Sequence, residues 1–143
     1  MQVPHQSVVM VVDGRKLLFL RNEGDETYPN LQVEHAEERI NPADRDQKTD
    51  AAGAASSTTS GTLEETDFHQ LEEDRFAAEA ADLLKRRALA NDFESLIVVA
   101  APKTLGELRK HYHKEVSQRL TGELSKDLTG HPIPDIEKAL IAA

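Results

Sequence analysis

The sequence predicts a single α/β domain, a five-stranded mixed sheet with flanking helices in the order βββαβαβα. Three observations carry this. Two runs, "SVVMVV" from Ser7 and "SLIVVAA" from Ser95, are continuously apolar and rich in β-branched residues, the pattern of strands covered on both faces. Two other stretches alternate apolar with polar residues, as strands with one wet face do. Between them lie segments with the helical period and helix-start signals.

The first strand covers Ser7 to Val12, and Asp13-Gly14 marks a tight hairpin, because glycine accepts the positive φ that such turns use. The chain returns through "RKLLFLR", Arg15 to Arg21, and Asn22 to Asn30, with Gly24, Asp25 and Pro29, is a turn region. The third strand alternates Leu31, Val33 and His35 with Gln32 and Glu34, which suits a sheet edge. From Asn41 to about Thr66 the residues are small, polar and acidic and have no apolar period, so a mobile low-complexity loop within one domain, residues 1–143, is expected over 41–66. Asp67 and Gln70 have the spacing of a capping box for a helix from Phe68 to about Ala90, with Phe76, Ala80, Leu83, Leu84 and Ala88 toward the core. Asn91-Asp92 ends it. After the second apolar strand, Thr104 and Glu107 form another capping box for a short helix. The stretch Val116 to Leu124 alternates as a half-wet strand, and Pro134 opens a last helix carrying Ile136, Ala139 and Leu140. A three-strand meander followed by right-handed crossovers gives the strand order 3-2-1-4-5. That order places both apolar strands centrally and both alternating strands at the edges. It is the order of ribonuclease H-like folds.

Composition narrows the function classes. The chain has 143 residues, 17 Lys and Arg against 26 Asp and Glu, and a formal net charge of -9, which opposes general adhesion to nucleic acid or anionic membranes. Cysteine is absent, and with it disulfides, thiolate metal sites and cysteine nucleophiles. The start, "MQVPHQSVV", lacks the basic and apolar segments of a signal peptide, and no apolar run approaches the roughly 20 residues that span a bilayer. The expectation is a cytoplasmic protein without membrane insertion.

Candidate chemistry is sparse. Asp13 ends the first strand, where a two-metal nuclease would place a carboxylate, but the second central strand ends in "AAPK", a cation where another acid is needed. Asp13 therefore reads as a turn residue. His111 and His113 would suit zinc on a strand; on a helix their rings diverge by about 200°. They fall at a helix end and have no third ligand at a defensible spacing, so no metal and no cofactor is expected. No nucleophile elbow, phosphate loop or dinucleotide fingerprint is present. The remaining candidate is the junction at Lys103 and Thr104, where helix amides at a topological switch point can receive an anion. Arg109 and Lys110 extend it toward a basic second half suited to RNA or to an acidic protein partner.

The second half, "FESLIVVAAPKTLGELRKHYHKEVSQRLTGELSKDLTGHPIPDIEKAL", resembles the bacterial host attachment protein family, the proteins required for attachment to host cells. The resemblance lies in the strand running into Ala101-Pro102, in Leu105-Gly106-x-Leu108-Arg109, and in Glu123-Leu124-x-Lys126-Asp127-Leu128-Thr129 followed by His131-Pro132. It is looser before Phe76, where Val12-Asp13-Gly14 fits but an early tryptophan is missing. That family is related to the middle domain of archaeal and eukaryotic peptide-chain release factors. The resemblance implies the same fold and a setting in translation, whereas the Gly-Gly-Gln release tripeptide is absent from this chain. It implies first a non-enzymatic interaction protein with a protein partner, acting on attachment indirectly. Next comes a ribosome- or RNA-associated factor, and last, on the residues of the Lys103 junction rather than on the resemblance, a hydrolase of a phosphorylated substrate.

Overall fold

The computed structural model describes the backbone of residues 1–39 and 51–143 and the side chains of residues 1–39 and 67–143. Its strands are β1 (Val8–Val12), β2 (Lys16–Asn22), β3 (Leu31–Glu38), β4 (Leu96–Ala100) and β5 (Leu120–Leu124). The helices are α1 (Ala51–Leu89), α2 (Pro102–Arg109), α3 (Lys114–Arg119) and α4 (Ile133–Ala142). The sheet has the order β3-β2-β1-β4-β5. β2 is antiparallel to β1 and β3, and β4 is parallel to β1 and β5. The expected fold, strand order and edge placement are all observed.

Every residue of β1 and β4 is buried, which is why neither strand alternates. Val8, Met10, Val12, Leu96 and Val98 face α1, α2 and α3, while Val9, Val11, Ile97 and Val99 face α4. On α1, Phe76, Ala80, Leu84 and Ala88 recur at the helical period and are buried, with Ala77 and Ala81 beside them. The alanines let this helix approach the sheet closely. On the other face, Ile136 and Leu140 of α4 are buried, with Val3 from the N-terminal segment. The Glu137 carboxylate of α4 accepts the Leu31 N–H at 2.8 Å, which ties that helix to the start of β3.

The structure corrects four local expectations. The long helix starts at Ala51, so helix replaces the expected loop from that residue on; residues 40–50 lie outside the described ones. Ala51, Ala52, Ala54 and Ala55 are strong helix formers, and adding a residue to an existing helix is easier than nucleating one, so this segment is continuous with the helix that packs from Phe76 on. Asp67 is consequently interior to α1, and Gln70 donates to Asp74 at 2.7 Å rather than closing a capping box. Second, Lys114 to Arg119 is a helical turn and not part of a strand: the His113 ring accepts the Glu115 N–H as its N-cap, and Arg119 reaches back to Glu115. Alternation there came from a helix too short to show its own period. Third, Ala101 is the N-cap of α2 with Pro102 in the first turn, and no side chain caps it, so Thr104 sits inside the helix.

The fourth concerns the hairpin. Gly14 does not have positive φ. The Asp13 carboxylate instead shapes the turn, accepting the N–H of Arg15 at 2.8 Å and of Lys16 at 2.6 Å. Glycine is needed for space, because a Cβ there would stand 2.6 Å from Glu73 Cγ on α1. At the other end of α1, Asn91 takes the left-handed conformation at φ 59°, as a helix-ending asparagine can. Arg119 fixes that turn by donating to Asn91 Oδ1 at 2.9 Å and to the Phe93 carbonyl at 3.0 Å.

Leu84 is fully buried between α1 and the sheet. Leu84→Ala should lower unfolding free energy by about 3 kcal/mol in a denaturant titration, whereas Lys85→Ala on the wet side should change it by less than about 0.5 kcal/mol.

Candidate functional site

The parallel pairing sets what can meet at the C-terminal edge of the sheet. Val12 is in register with Ala100, and Val99 with Leu124, so the ends of β1, β4 and β5 lie side by side. Asp13, the start of α2 and the β5–α4 connection therefore share one edge, at the point where the connections diverge.

Asp13 is fully engaged there. One oxygen holds the two turn amides, and the other lies 2.7 Å from the Thr129 hydroxyl, which is also 3.0 Å from Asp127 Oδ1. Thr129 is buried and thus bridges the end of β1 to the β5–α4 connection. This contact spans 116 residues of chain, and no local spacing announces it. The turn reading of Asp13 is what the geometry supports.

Lys103 is exposed and has no hydrogen bond or ion pair among the described residues. The first backbone bond of α2 runs from Leu105 N–H to the Ala101 carbonyl, so the amides of Lys103 and Thr104 precede the helical ladder. Arg109 and Lys110 stand at the opposite end of this helix, roughly 9 Å along its axis from Lys103. The four candidate residues thus form two separate places rather than one cluster.

Both distal cations are paired. Arg109 grips Glu123 of β5, with Nη2 2.8 Å and Nε 3.2 Å from one carboxylate oxygen, and this hydrogen bond raises the guanidinium pKa. Lys110 lies 3.0 Å from Glu107, which His111 also approaches at 3.3 Å. The hydrogen bond from Lys110 holds the Glu107 carboxyl below its ordinary range, and the same contact raises Lys110. Tyr112 packs against the core beside these pairs; burial first, then the Glu123 carboxylate, pushes its phenol above the ordinary tyrosine range. His113 is engaged as the α3 cap. Among the described residues, no group of three or more His, Cys, Asp or Glu is placed to hold a metal ion.

Sequence reasoning missed Glu123 as the partner of Arg109, Thr129 as the partner of Asp13, and Arg119 as the brace of the Asn91 turn. Only the last left a signal, the Glu115–Arg119 spacing of a helical ion pair.

A structural role for Asp13 has a measurable consequence. Asp13→Ala should cost about 2 kcal/mol in urea unfolding, because two amides and a hydroxyl lose a charged acceptor. Asp13→Asn, whose amide oxygen can still accept the turn amides, should recover more than half of that loss.

Among curated proteins, an uncharacterized protein of Rickettsia prowazekii (strain Madrid E) is 30% identical over 89 residues. The match spans 59% of this chain and 59% of that relative's length. A family model described as bacterial archaeo-eukaryotic release factor family 12 matches residues 6–140, from the turn before β1 to the buried Leu140 of α4. Since the match takes in every strand of the sheet, the chain belongs to bacterial archaeo-eukaryotic release factor family 12.

Proposed function

We propose that this chain is a non-enzymatic interaction protein of the release-factor lineage, with its partner in the translation machinery. The observation that carries this reading is the family match over residues 6–140 in a chain without a Gly-Gly-Gln tripeptide. Kinship with release factors favours a ribosomal or RNA setting, and the missing tripeptide removes the group that would perform release. The carboxylate best placed for catalysis, Asp13, is committed to turn amides and Thr129. An effect on attachment to host cells, the phenotype named for the resembling family, follows at a distance through what is translated. The protein acts where translation occurs, in the cytoplasm.

Two contact points serve this role. Lys103, with the free amides beside it and Thr104, meets a phosphate directly. Arg109 and Lys110 meet phosphates only by exchanging Glu123 and Glu107, so their contribution is smaller and more salt-sensitive.

The test is sedimentation of the purified chain with ribosomes from its own cell at about 50 mM and about 200 mM salt. Co-sedimentation at low salt is expected, weakening steeply with salt. Lys103→Glu should reduce it more than the Arg109→Ala, Lys110→Ala double variant does. Absence from the ribosome pellet at low salt removes the translation partner. Amide signals of Lys103 to Glu107 that stay fixed on titration with inorganic phosphate remove the anion contact and the hydrolase reading with it.

A further inference from the structure

We propose that the free edge of β3, together with the groove between β3 and α1, binds an extended, basic protein segment as a sixth strand. This extends the interaction role to a second surface, away from Lys103 and Arg109.

β3 ends the sheet, so alternate amide and carbonyl groups point away from β2; the Leu31 N–H is taken by Glu137 and the pairing is irregular at Glu34, which leaves His35 to Glu38 as the regular, open stretch among the described residues. Its side chains are mostly exposed, and Val33 is 49% exposed although its cross-strand partner Leu20 is buried. Beneath the edge lie two adjoining cavities of about 470 and 380 Å³ that share Glu37 and Arg39. Phe76 and Leu83 of α1 supply apolar floor. An open strand edge above a groove walled by a helix is the arrangement that adds a peptide strand: main-chain bonds give affinity, and alternate side chains enter the groove.

Charge selects the occupant. The groove cations are already neutralised, Arg39 by Glu79 at 2.5 Å and Arg86 by Asp82 at 3.0 Å. Arg39 is further held over the Phe76 ring, 5.3 Å from its centroid. Glu37 and Glu38 have no Lys or Arg ion pair among the described residues. They leave a negative rim beside the open backbone. A second copy pairing antiparallel over the whole of β3 would set Glu37 beside Gln32 and Glu38 beside Leu31, and so would bring no cation to either glutamate. A segment alternating Lys or Arg with small apolar residues meets the rim with opposite charge and the groove with apolar surface. Of the candidate occupants, this is the one the charges favour.

The experiment uses the full chain and a fluorescein-labelled peptide of four Lys-Val repeats, read by fluorescence anisotropy at about 50 mM salt. Saturable binding is expected, with amide shifts concentrated in residues 31–38. A peptide N-methylated at every residue keeps its charges but has no backbone donors, and should bind at least about tenfold more weakly. Glu37→Lys with Glu38→Lys, both exposed positions, should weaken binding of the unmethylated peptide by about tenfold or more while leaving the circular dichroism spectrum unchanged. Equal binding of the methylated peptide reduces the effect to surface charge and overturns strand addition. Concentration-dependent dimerisation that the double variant abolishes overturns it in favour of a second copy. No saturable binding overturns it outright. Ribosome sedimentation of the same double variant separates the two readings: the proposed function stands if it persists, whatever the peptide does.

Discussion

The structure depends on the burial of one parallel strand pair, β1 with β4, on both faces at once. Five consecutive register positions, ten apolar residues in all, cannot be left beside water on either side, so helices must cover the sheet twice. The crossover through α1 covers one face, and α4 returns to cover the other. Each fully buried aliphatic side chain contributes roughly 1.5–3 kcal/mol relative to exposure. Exposed ion pairs contribute less, roughly 0–1 kcal/mol each. The order of strands follows as well, because β2 and β5 can only add outside a central pair.

Electrostatics then settles the remainder of the surface in a less obvious way. The second half of the chain looks basic when its lysines and arginines are counted along the sequence. In space, Arg86, Arg87, Arg109, Lys110 and Arg119 each face a carboxylate. Arg87 additionally lies over the Phe19 ring, 3.9 Å from its centroid. With Arg21 it encloses Asp92 and Glu34, closing the end of the sheet where α1 meets β2. Exposed pairs of this kind add little stability individually, yet they remove most of the positive field that linear counting suggests. Lys103 differs in kind, since it has no ion pair among the described residues and stands beside unbonded helix amides.

The fold was legible because its signals are local and strong. Unbroken Val and Ile runs mark doubly covered strands, and alternation in β3 marks an edge. The i, i+4 spacing of Phe76, Ala80, Leu84 and Ala88 marks the buried stripe of α1. What escaped reading was either short or distant. α3 has six residues, too few for a period of 3.6 to be told from one of 2. The first half of α1 has a composition that fits a loop equally well, because its alanine, serine and threonine carry no apolar period. The Asp13–Thr129 bond and the Arg109–Glu123 pair depend on which strand ends adjoin, which only the assembled sheet reveals. Hence the candidate site was legible as residue types but not as a geometry. Lys103 and Thr104 stand together, and Arg109 and Lys110 stand apart from them.

The two edges of the sheet are finished differently, and this asymmetry bears on function. β5 is flanked by Arg109 gripping Glu123, and Met1 packs where a Gly122 side chain would extend. Side chains of the chain itself thus pack at neighbouring positions of that strand, Gly122 and Glu123. β3 is stabilised at its start by the Glu137–Leu31 bond and near its middle by Arg21 holding Glu34, whereas Glu37 and Glu38 have no Lys or Arg ion pair among the described residues. Charged residues on an edge strand protect against pairing with a like-charged copy. They protect poorly against a partner of the opposite charge. In the proposed strand addition, the selectivity for a basic segment rests on a few glutamates. Because α1 and the buried stripe beneath it hold the edge in place, binding there would need little reorganisation. The rigid core that dictates the fold is therefore also what preorganises the edge.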